Sequence, residues 1–118
     1  MSDRRQEPRY PKLMSVQLYD ERRVPLAGEP RLVDVSSNGL CFESTVAPAV
    51  GAVLNFRLHI PKSGSVSGTG KVRWTYPAPS GMAYLSGVQF ESFGWADKKL
   101  LREYLQPHVR KRPREETD

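Results

Sequence analysis

The stretch LNFRLHI, residues 54–60, alternates strictly between apolar and polar side chains. Its apolar members share one face of an extended chain: Leu54, Phe56, Leu58 and Ile60. A period of two is typical of a strand that covers a hydrophobic core on one side and meets solvent on the other. The chain must therefore bury this face against further strands or a helix.

Five further segments show a similar alternation, and they are residues 14–19, 32–35, 40–43, 71–76 and 83–90. In the second segment the pattern predicts that Val33 and Val35 share one face. The Gly- and Ser-rich segment PKSGSVSGTG, residues 61–70, is predicted to be a loop. Six short strands punctuated by Gly and Pro predict a mainly β fold, an antiparallel sheet closed or nearly closed into a barrel.

A different period appears in WADKKLLREYLQP, residues 95–107. Leu101 and Leu105 lie four positions apart, as do Leu100 and Tyr104, which predicts a C-terminal α-helix of about three turns. Pro107 is predicted to end this helix. The resulting domain organisation has three parts: a flexible basic arm at 1–12, a barrel with its helix at 13–106, and a disordered charged tail at 107–118.

The composition narrows the classes of protein that this chain can belong to. A length of 118 residues suits one domain, and no apolar run approaches the ~20 residues that a membrane span requires. The N-terminus has no apolar segment typical of a signal peptide, and one cysteine cannot form an intramolecular disulfide, so a cytoplasmic setting is expected. The net charge of +5 favours an anionic partner.

No pattern in the sequence predicts catalysis or metal binding. His59 falls on the polar face of its strand, His108 follows the predicted helix, and neither has a recognisable nucleophile or acid partner. Cys41 is a lone thiol in a strand and is expected to serve packing. These three residues have no spacing typical of a zinc site, so we expect no enzymatic activity, no metal and no resident cofactor.

Four aromatic residues could form a base-stacking platform like that of a barrel that binds single-stranded nucleic acid: Trp74, Tyr76, Tyr84 and Phe90. Trp74 alternates in step with Val72, which suits burial, and basic side chains do not interleave with exposed aromatics. The four aromatics are therefore predicted to belong to the core, and nucleic-acid binding is disfavoured.

Two polar segments carry the functional prediction. RRQEPR places Arg4 and Arg5 close to Arg9 in a segment that Pro8 should keep extended, and alone it would be read as a solvated arm. DVSSNG, residues 34–39, contains the dipeptide Asn-Gly, a strong hairpin signal because both residues tolerate a positive φ. The same segment offers a carboxylate, a hydroxyl and a bare backbone, so a turn and a binding site both remain open at this point.

Together the two segments match RxxxR followed by [D/N]xSxxG, at Arg5, Arg9, Asp34, Ser36 and Gly39. This combination resembles the signature of the PilZ domain family, and GKVRW and GVQF look like the late strands of that family. The resemblance covers about residues 3–105. It implies a six-stranded antiparallel PilZ-type β-barrel with a C-terminal α-helix that binds the bacterial second messenger cyclic di-GMP.

The resemblance also implies roles for individual residues. Arg5 and Arg9 would contact guanine or phosphate, and Asp34 would accept from the guanine N1 and N2 hydrogens. Ser36 would donate a hydrogen bond, and Gly39 would let the backbone come close to the ligand. Because Arg4 precedes RxxxR directly, the family pattern implies an intercalated pair of ligand molecules.

The expected function is that of a regulatory receptor whose arm becomes ordered when cyclic di-GMP binds, which changes the surface that a downstream protein reads. Sequestration of the messenger is an alternative output. Two other functions compete with the receptor: a PilZ-like module for protein–protein interaction that binds no nucleotide, and a small nucleic-acid-binding barrel. The regulated process, the partner and the oligomeric state are left open by the sequence.

Overall fold

The computed structural model of the protein describes residues 14–110, and within this range it contains one sheet and one helix. The strands are β1 (Ser15–Tyr19), β2 (Arg31–Val35), β3 (Gly39–Ser44), β4 (Val53–Ile60), β5 (Gly64–Pro77) and β6 (Tyr84–Phe93). The helix α1 spans Trp95–Arg110. The predicted mainly β fold with a C-terminal helix is confirmed. The predicted arm at 1–12 and most of the predicted tail lie outside the described residues.

The six strands form a single antiparallel sheet in the order β1-β4-β5-β6-β3-β2. The sheet curves into a half-barrel, with β1 and β2 as its two edge strands. Strands that are far apart in sequence become neighbours in this order, since β6 pairs with both β5 and β3. The outer face of the sheet is therefore assembled from distant parts of the chain.

The core lies on the concave side of the sheet and follows the predicted alternation most closely in β4. Leu54, Phe56, Leu58 and Ile60 of β4 are buried, whereas Arg57 and His59 are exposed. Phe42 of β3 is buried as well, and Leu101 and Leu105 of α1 close the core from the C-terminal side. The helix thus packs its apolar stripe against the sheet. No helix within residues 14–110 is long and apolar enough to cross a membrane.

The sequence prediction of a loop at residues 61–70 is wrong for most of its length. Only a short turn at 61–63 separates β4 from β5, and residues 64–70 pair in register with β4. Val66 is the one apolar side chain among these seven residues, and it is buried. Gly68 lies so close to β6 that a Cβ there would collide with the Ser92 carbonyl oxygen. Low intrinsic strand propensity is outweighed here by cross-strand pairing and close packing.

The helix also differs from its prediction, because it continues past Pro107 to Arg110. A proline removes one backbone donor, so the carbonyl of Glu103 loses its partner in the helix. The N–H groups of the residues that follow can still reach acceptors one turn earlier. Proline therefore weakens the last turn of α1 without ending the helix.

Candidate functional site

The segment DVSSNG forms the connection between β2 and β3, so the predicted hairpin is confirmed. The Ser36 amide donates to the Gly39 carbonyl oxygen at 2.8 Å, and the Ser36 Oγ accepts from the Asn38 amide at 3.2 Å. The Phe90 amide donates to the Asn38 carbonyl oxygen at 2.8 Å, which fastens the turn to β6. Ser36 therefore organises the turn, and its hydroxyl keeps acceptor capacity for a further contact.

The sequence suggests two reasons for a glycine at position 39: a positive φ in the turn, and close approach of the backbone to a ligand. The structure adds a third. Neither Asn38 nor Gly39 adopts a positive φ. Gly39 instead lies opposite Gln89 of β6, where a Cβ would collide with the carbonyl oxygen of Val88. The missing side chain permits close approach of β3 to β6. Strand packing is sufficient to explain this glycine, and its role toward a ligand stays a prediction.

A bulge in β2 sets the direction of Asp34. The register shifts between Leu32 and Asp34, so that Asp34 pairs with Cys41 while Val35 pairs with the buried Leu40. Leu32, rather than the predicted Val33, accompanies Val35 in packing against the core. The extra residue of a bulge changes which side chains share a face. Asp34 thus faces outward beside Cys41.

Cross-strand pairing continues this line over four strands. Cys41 of β3 pairs with Gly87 of β6, and Gly87 pairs with Trp74 of β5. We call the line Asp34, Cys41, Gly87 and Trp74 the floor row. Three strand spacings give it a length of about 14 Å. The floor row has a carboxylate at one end and an indole at the other, and its middle is formed by the small Cys41 and by Gly87, whose missing side chain leaves room for the indole.

The outward position of Trp74 contradicts the prediction that the aromatic residues belong to the core. A second bulge, between Val72 and Trp74, inserts an extra residue after the buried Val72. Thr75 consequently points inward, and its Oγ1 lies 3.1 Å from the Oγ of the buried Ser86. The Trp74 ring covers Gly87, where a Cβ would collide with the indole. Because strict alternation fails at this bulge, the sequence pattern does not predict the outward position of Trp74.

The other three aromatics divide between surface and core. Tyr76 is 62% exposed and stacks on Trp74, with 5.3 Å between the ring centroids. Tyr84 is also exposed, whereas Phe90 packs against the core and lies 4.8 Å from Phe56, centroid to centroid. The prediction of burial is therefore correct for Phe90 and wrong for the tyrosines and for Trp74. Trp74 and Tyr76 form an exposed aromatic surface at one end of the floor row.

A shallow depression of about 500 Å³ lies over the floor row. Three of the predicted site residues line it together: Asp34, Ser36 and Gly39. Trp74, Arg73 and Gln89 line it as well and were not predicted as site residues. Arg4, Arg5 and Arg9 lie outside the described residues. The structure therefore brings the whole second half of the sequence pattern into one depression and adds an aromatic and a cation.

The charges around the depression are arranged asymmetrically. Arg73 of β5 donates from Nε to the Gln89 Oε1 of β6 at 2.6 Å, and this places a guanidinium over the β5–β6 pair. Asp34 supplies a carboxylate from β2, on the other side of β3. A ligand that carries both hydrogen-bond donors and anionic or acceptor groups would match such a surface.

A second depression, the two histidines and the acidic side chains are further candidate sites. A second depression of about 550 Å³ is lined by residues that include Tyr19, Arg57, Thr69 and Ser92, and the three predicted site residues that the structure describes lie elsewhere. His59 is exposed on β4, and the side chain of His108 lies outside the described part of the chain. Among residues 14–110, no three His, Cys, Asp or Glu side chains come together as a metal site would require.

Comparison with solved structures shows the same fold in larger proteins. The Bacillus subtilis inhibitor of motility MotI/DgrA matches with a TM-score of 0.71 and 16% identity over 96% of this chain and 55% of its own. K. pneumonia MrkH in complex with c-di-GMP matches with a TM-score of 0.67 and 16% identity over 97% of this chain and 55% of its own. The chain therefore spans little more than half the length of these proteins.

Sequence comparison gives the family. No curated protein matches the chain significantly. The family model described as PilZ domain matches residues 3–106, a range that contains both RRQEPR and DVSSNG. Since this match covers most of the 118 residues and agrees with the half-barrel and the depression, the chain belongs to the PilZ domain family.

Proposed function

We propose that the protein is a cytoplasmic receptor for cyclic di-GMP that regulates another protein and has no enzymatic activity of its own. The observation that supports this most directly is the convergence of Asp34, Ser36 and Gly39 with Trp74 in one depression. The match to MrkH, which was solved with c-di-GMP, supports the choice of ligand.

The chemistry of the floor row suits the proposed ligand. Asp34 accepts hydrogen bonds from N1–H and N2–H₂ of a guanine, the donors that adenine does not present in this arrangement. A second base of the ligand stacks on the indole of Trp74, a contact worth about 1 to 3 kcal/mol. The small side chain of Cys41, between Asp34 and the indole that covers Gly87, leaves room over β3 for the ribose-phosphate ring of the ligand.

The arm supplies the positive charge that two phosphodiesters require. Arg5 and Arg9 would provide bidentate donors to phosphate or guanine, and Arg4 would stack on a further base if two ligand molecules intercalate. Binding then brings residues 1–12 over the outer face of the half-barrel and creates the surface that a downstream protein reads. If no such protein exists, the domain acts by sequestering the messenger.

Titration with cyclic di-GMP tests this proposal, and the chain offers its own probe. The chain has two tryptophans, and Trp95 is 78% exposed on α1, away from the floor row. In a Trp95→Phe variant, fluorescence comes from Trp74 alone and should change saturably with ligand. Calorimetry gives the stoichiometry, for which we expect two ligands per chain. Arg9→Ala should lower the affinity by about tenfold or more.

The same titration contains the outcome that would contradict the proposal. Absence of binding at about 100 μM cyclic di-GMP, a concentration well above the micromolar affinity that these contacts should give, would remove it. The protein–protein interaction module would then be favoured, since Tyr76, which stacks on Trp74, and Met82, in the connection between β5 and β6, are both exposed. Affinity for nucleic acid that falls steeply with salt would favour the third function.

Ordering of the arm is a separate prediction that NMR relaxation can check. Backbone amides of residues 1–12 should show low order parameters in the free protein and values near those of the strands at saturating cyclic di-GMP. The physical reason is that repulsion among the arginines is relieved when phosphates neutralise them. Equal order parameters with and without ligand would contradict coupled ordering, even if the ligand binds.

A further inference from the structure

We propose that Arg73, held in place by Gln89, reads the O6 and N7 edge of the guanine that stacks on Trp74. This inference rests on the proposed function, and it adds a base-reading residue on β5 that neither half of the RxxxR and [D/N]xSxxG pattern contains. It implies that part of the discrimination between guanine and adenine comes from the half-barrel itself.

The geometry at the bulge carries the first step. Because the register shifts between Val72 and Trp74, Arg73 and Trp74 are consecutive residues that both line the depression. In a regular strand, consecutive side chains would point to opposite faces. The guanidinium and the indole thereby line the same depression, and a base that stacks on the ring would present its edge to this shared surface.

The hydrogen bond to Gln89 carries the second step. Arg73 uses Nε to donate to the Gln89 Oε1 at 2.6 Å, which leaves both terminal nitrogens as a planar fork of donors. Gln89 is itself fixed opposite Gly39, at the start of β3. The guanidinium therefore has a defined direction without any ligand, so less side-chain entropy is lost when a base binds.

The third step concerns the charge of Arg73. The ion pairs given by the structure among residues 14–105 join Arg31 to Glu43, Lys71 to Glu91 and Lys99 to Glu103. The carboxylate nearest in sequence to Gln89, that of Glu91, is thus engaged by Lys71 at 3.7 Å. Gln89 is the partner that the structure gives to Arg73, and a neutral amide leaves its positive charge without a carboxylate partner among residues 14–105.

The chemistry of guanine decides what this fork reads. Guanine presents two adjacent acceptors, O6 and N7, which match the two terminal donors of arginine, whereas adenine presents a donor beside N7. Asp34 lies on β2, three strands along the sheet from Arg73 on β5, and its proposed contact uses the N1 and N2 edge of guanine. In the proposed arrangement Asp34 and Arg73 therefore read different guanines of the ligand, through different edges.

A double-mutant cycle between protein and ligand tests the contact. The full chain and its Arg73→Ala variant are titrated with cyclic di-GMP and with the analogue in which 7-deazaguanine replaces both bases. Arg73→Ala should weaken cyclic di-GMP binding by about tenfold to a hundredfold. The penalty for removing N7 should be at least threefold smaller in the variant than in the unaltered chain. A penalty that changes by less than threefold would overturn the proposal.

Charge alone is separated from base reading by a third variant. Arg73→Lys keeps the positive charge but loses the planar fork, so it should bind cyclic di-GMP nearly as weakly as Arg73→Ala. A contact to phosphate predicts instead that lysine restores most of the affinity, and that result would overturn the assignment. Arg57→Ala is the matched control, because Arg57 is exposed on β4 and lines the other depression. It should leave both affinities within about twofold.

In this proposal Gln89 is a positioning residue that orients the Arg73 guanidinium. A loss of this orientation can be told apart from a loss of stability. Gln89→Ala should leave the thermal midpoint unchanged while reducing the N7 penalty, because the guanidinium loses its fixed direction. An unchanged N7 penalty would show that Gln89 does not orient Arg73. If cyclic di-GMP fails to bind the unaltered chain, the proposed function fails. If it binds without N7 coupling to Arg73, only the present inference fails.

Discussion

Replacing Asp34 with alanine should lower the affinity for cyclic di-GMP by about 100-fold or more, with little change in the stability of the fold. Asp34 lies on the outer face of the edge strand β2, so its removal opens no cavity in the core. Its loss leaves two guanine donors without an acceptor in the complex, and truncating one partner of such a charged contact costs about 2 to 5 kcal/mol. Calorimetric titration gives the affinity, and thermal unfolding gives the stability.

Two further variants sharpen this expectation. Asp34→Asn keeps the shape but turns one acceptor into a donor that faces the guanine donors, so it should bind almost as weakly as Asp34→Ala. Glu43→Ala removes a carboxylate from the next position on the same face, where Glu43 pairs with Arg31 at 3.0 Å. Its affinity should stay within about threefold. An Asp34→Asn variant with undiminished affinity would contradict the assigned role.

Replacing Gly39 with alanine should lower the free energy of unfolding by about 2 kcal/mol, within the range of roughly 1 to 3 kcal/mol that overpacking costs. The new Cβ would collide with the Val88 carbonyl oxygen, and a backbone atom in the middle of a sheet cannot move away as a flexible side chain would. Separation of β3 from β6 would also disturb the floor row. Both the stability, from urea unfolding, and the affinity for cyclic di-GMP should therefore fall.

A neighbouring position in the same turn provides the comparison. The Asn38 side chain is exposed, and the hydrogen bonds that the structure gives for Asn38 come from its backbone. Asn38→Ala should accordingly change the free energy of unfolding by less than about 0.5 kcal/mol. A Gly39→Ala variant as stable as Asn38→Ala would show that β3 and β6 can separate without cost, contrary to the packing seen here.

The parts of the fold that could be predicted from the sequence are those governed by local patterns. Strand β4 has strict alternation, so its core face was identified correctly. Asp34, Ser36 and Gly39 fall within six consecutive residues, so a short pattern groups them, and the structure places all three along one depression. Leu101 and Leu105 were found because a helical stripe is equally local.

The remaining parts depend on pairing between distant strands. Two bulges, in β2 and β5, each shift the alternation by one residue, and no local pattern announces them. The alternation consequently predicts a core position for Trp74, and it gives no sign that Arg73 and Gln89 line the depression. One signal was present in the sequence: Gly87 inside a strand pattern often marks a close approach of another group, and here that group is the Trp74 ring.

The floor row has a consequence for how the protein opens and closes in solution. Its four members come from four strands, and Asp34 and Gly87 lie in the same row only because β3 pairs with both β2 and β6. Any local unfolding that parts β6 from β3 dismantles the row, so a bound ligand opposes such opening by mass action, by about 2.7 kcal/mol at a hundredfold excess over its dissociation constant. Ligand binding in the depression and pairing of β3 with β6 are therefore coupled. If cyclic di-GMP binds as proposed, amide exchange in β3 and β6 should slow as its concentration rises.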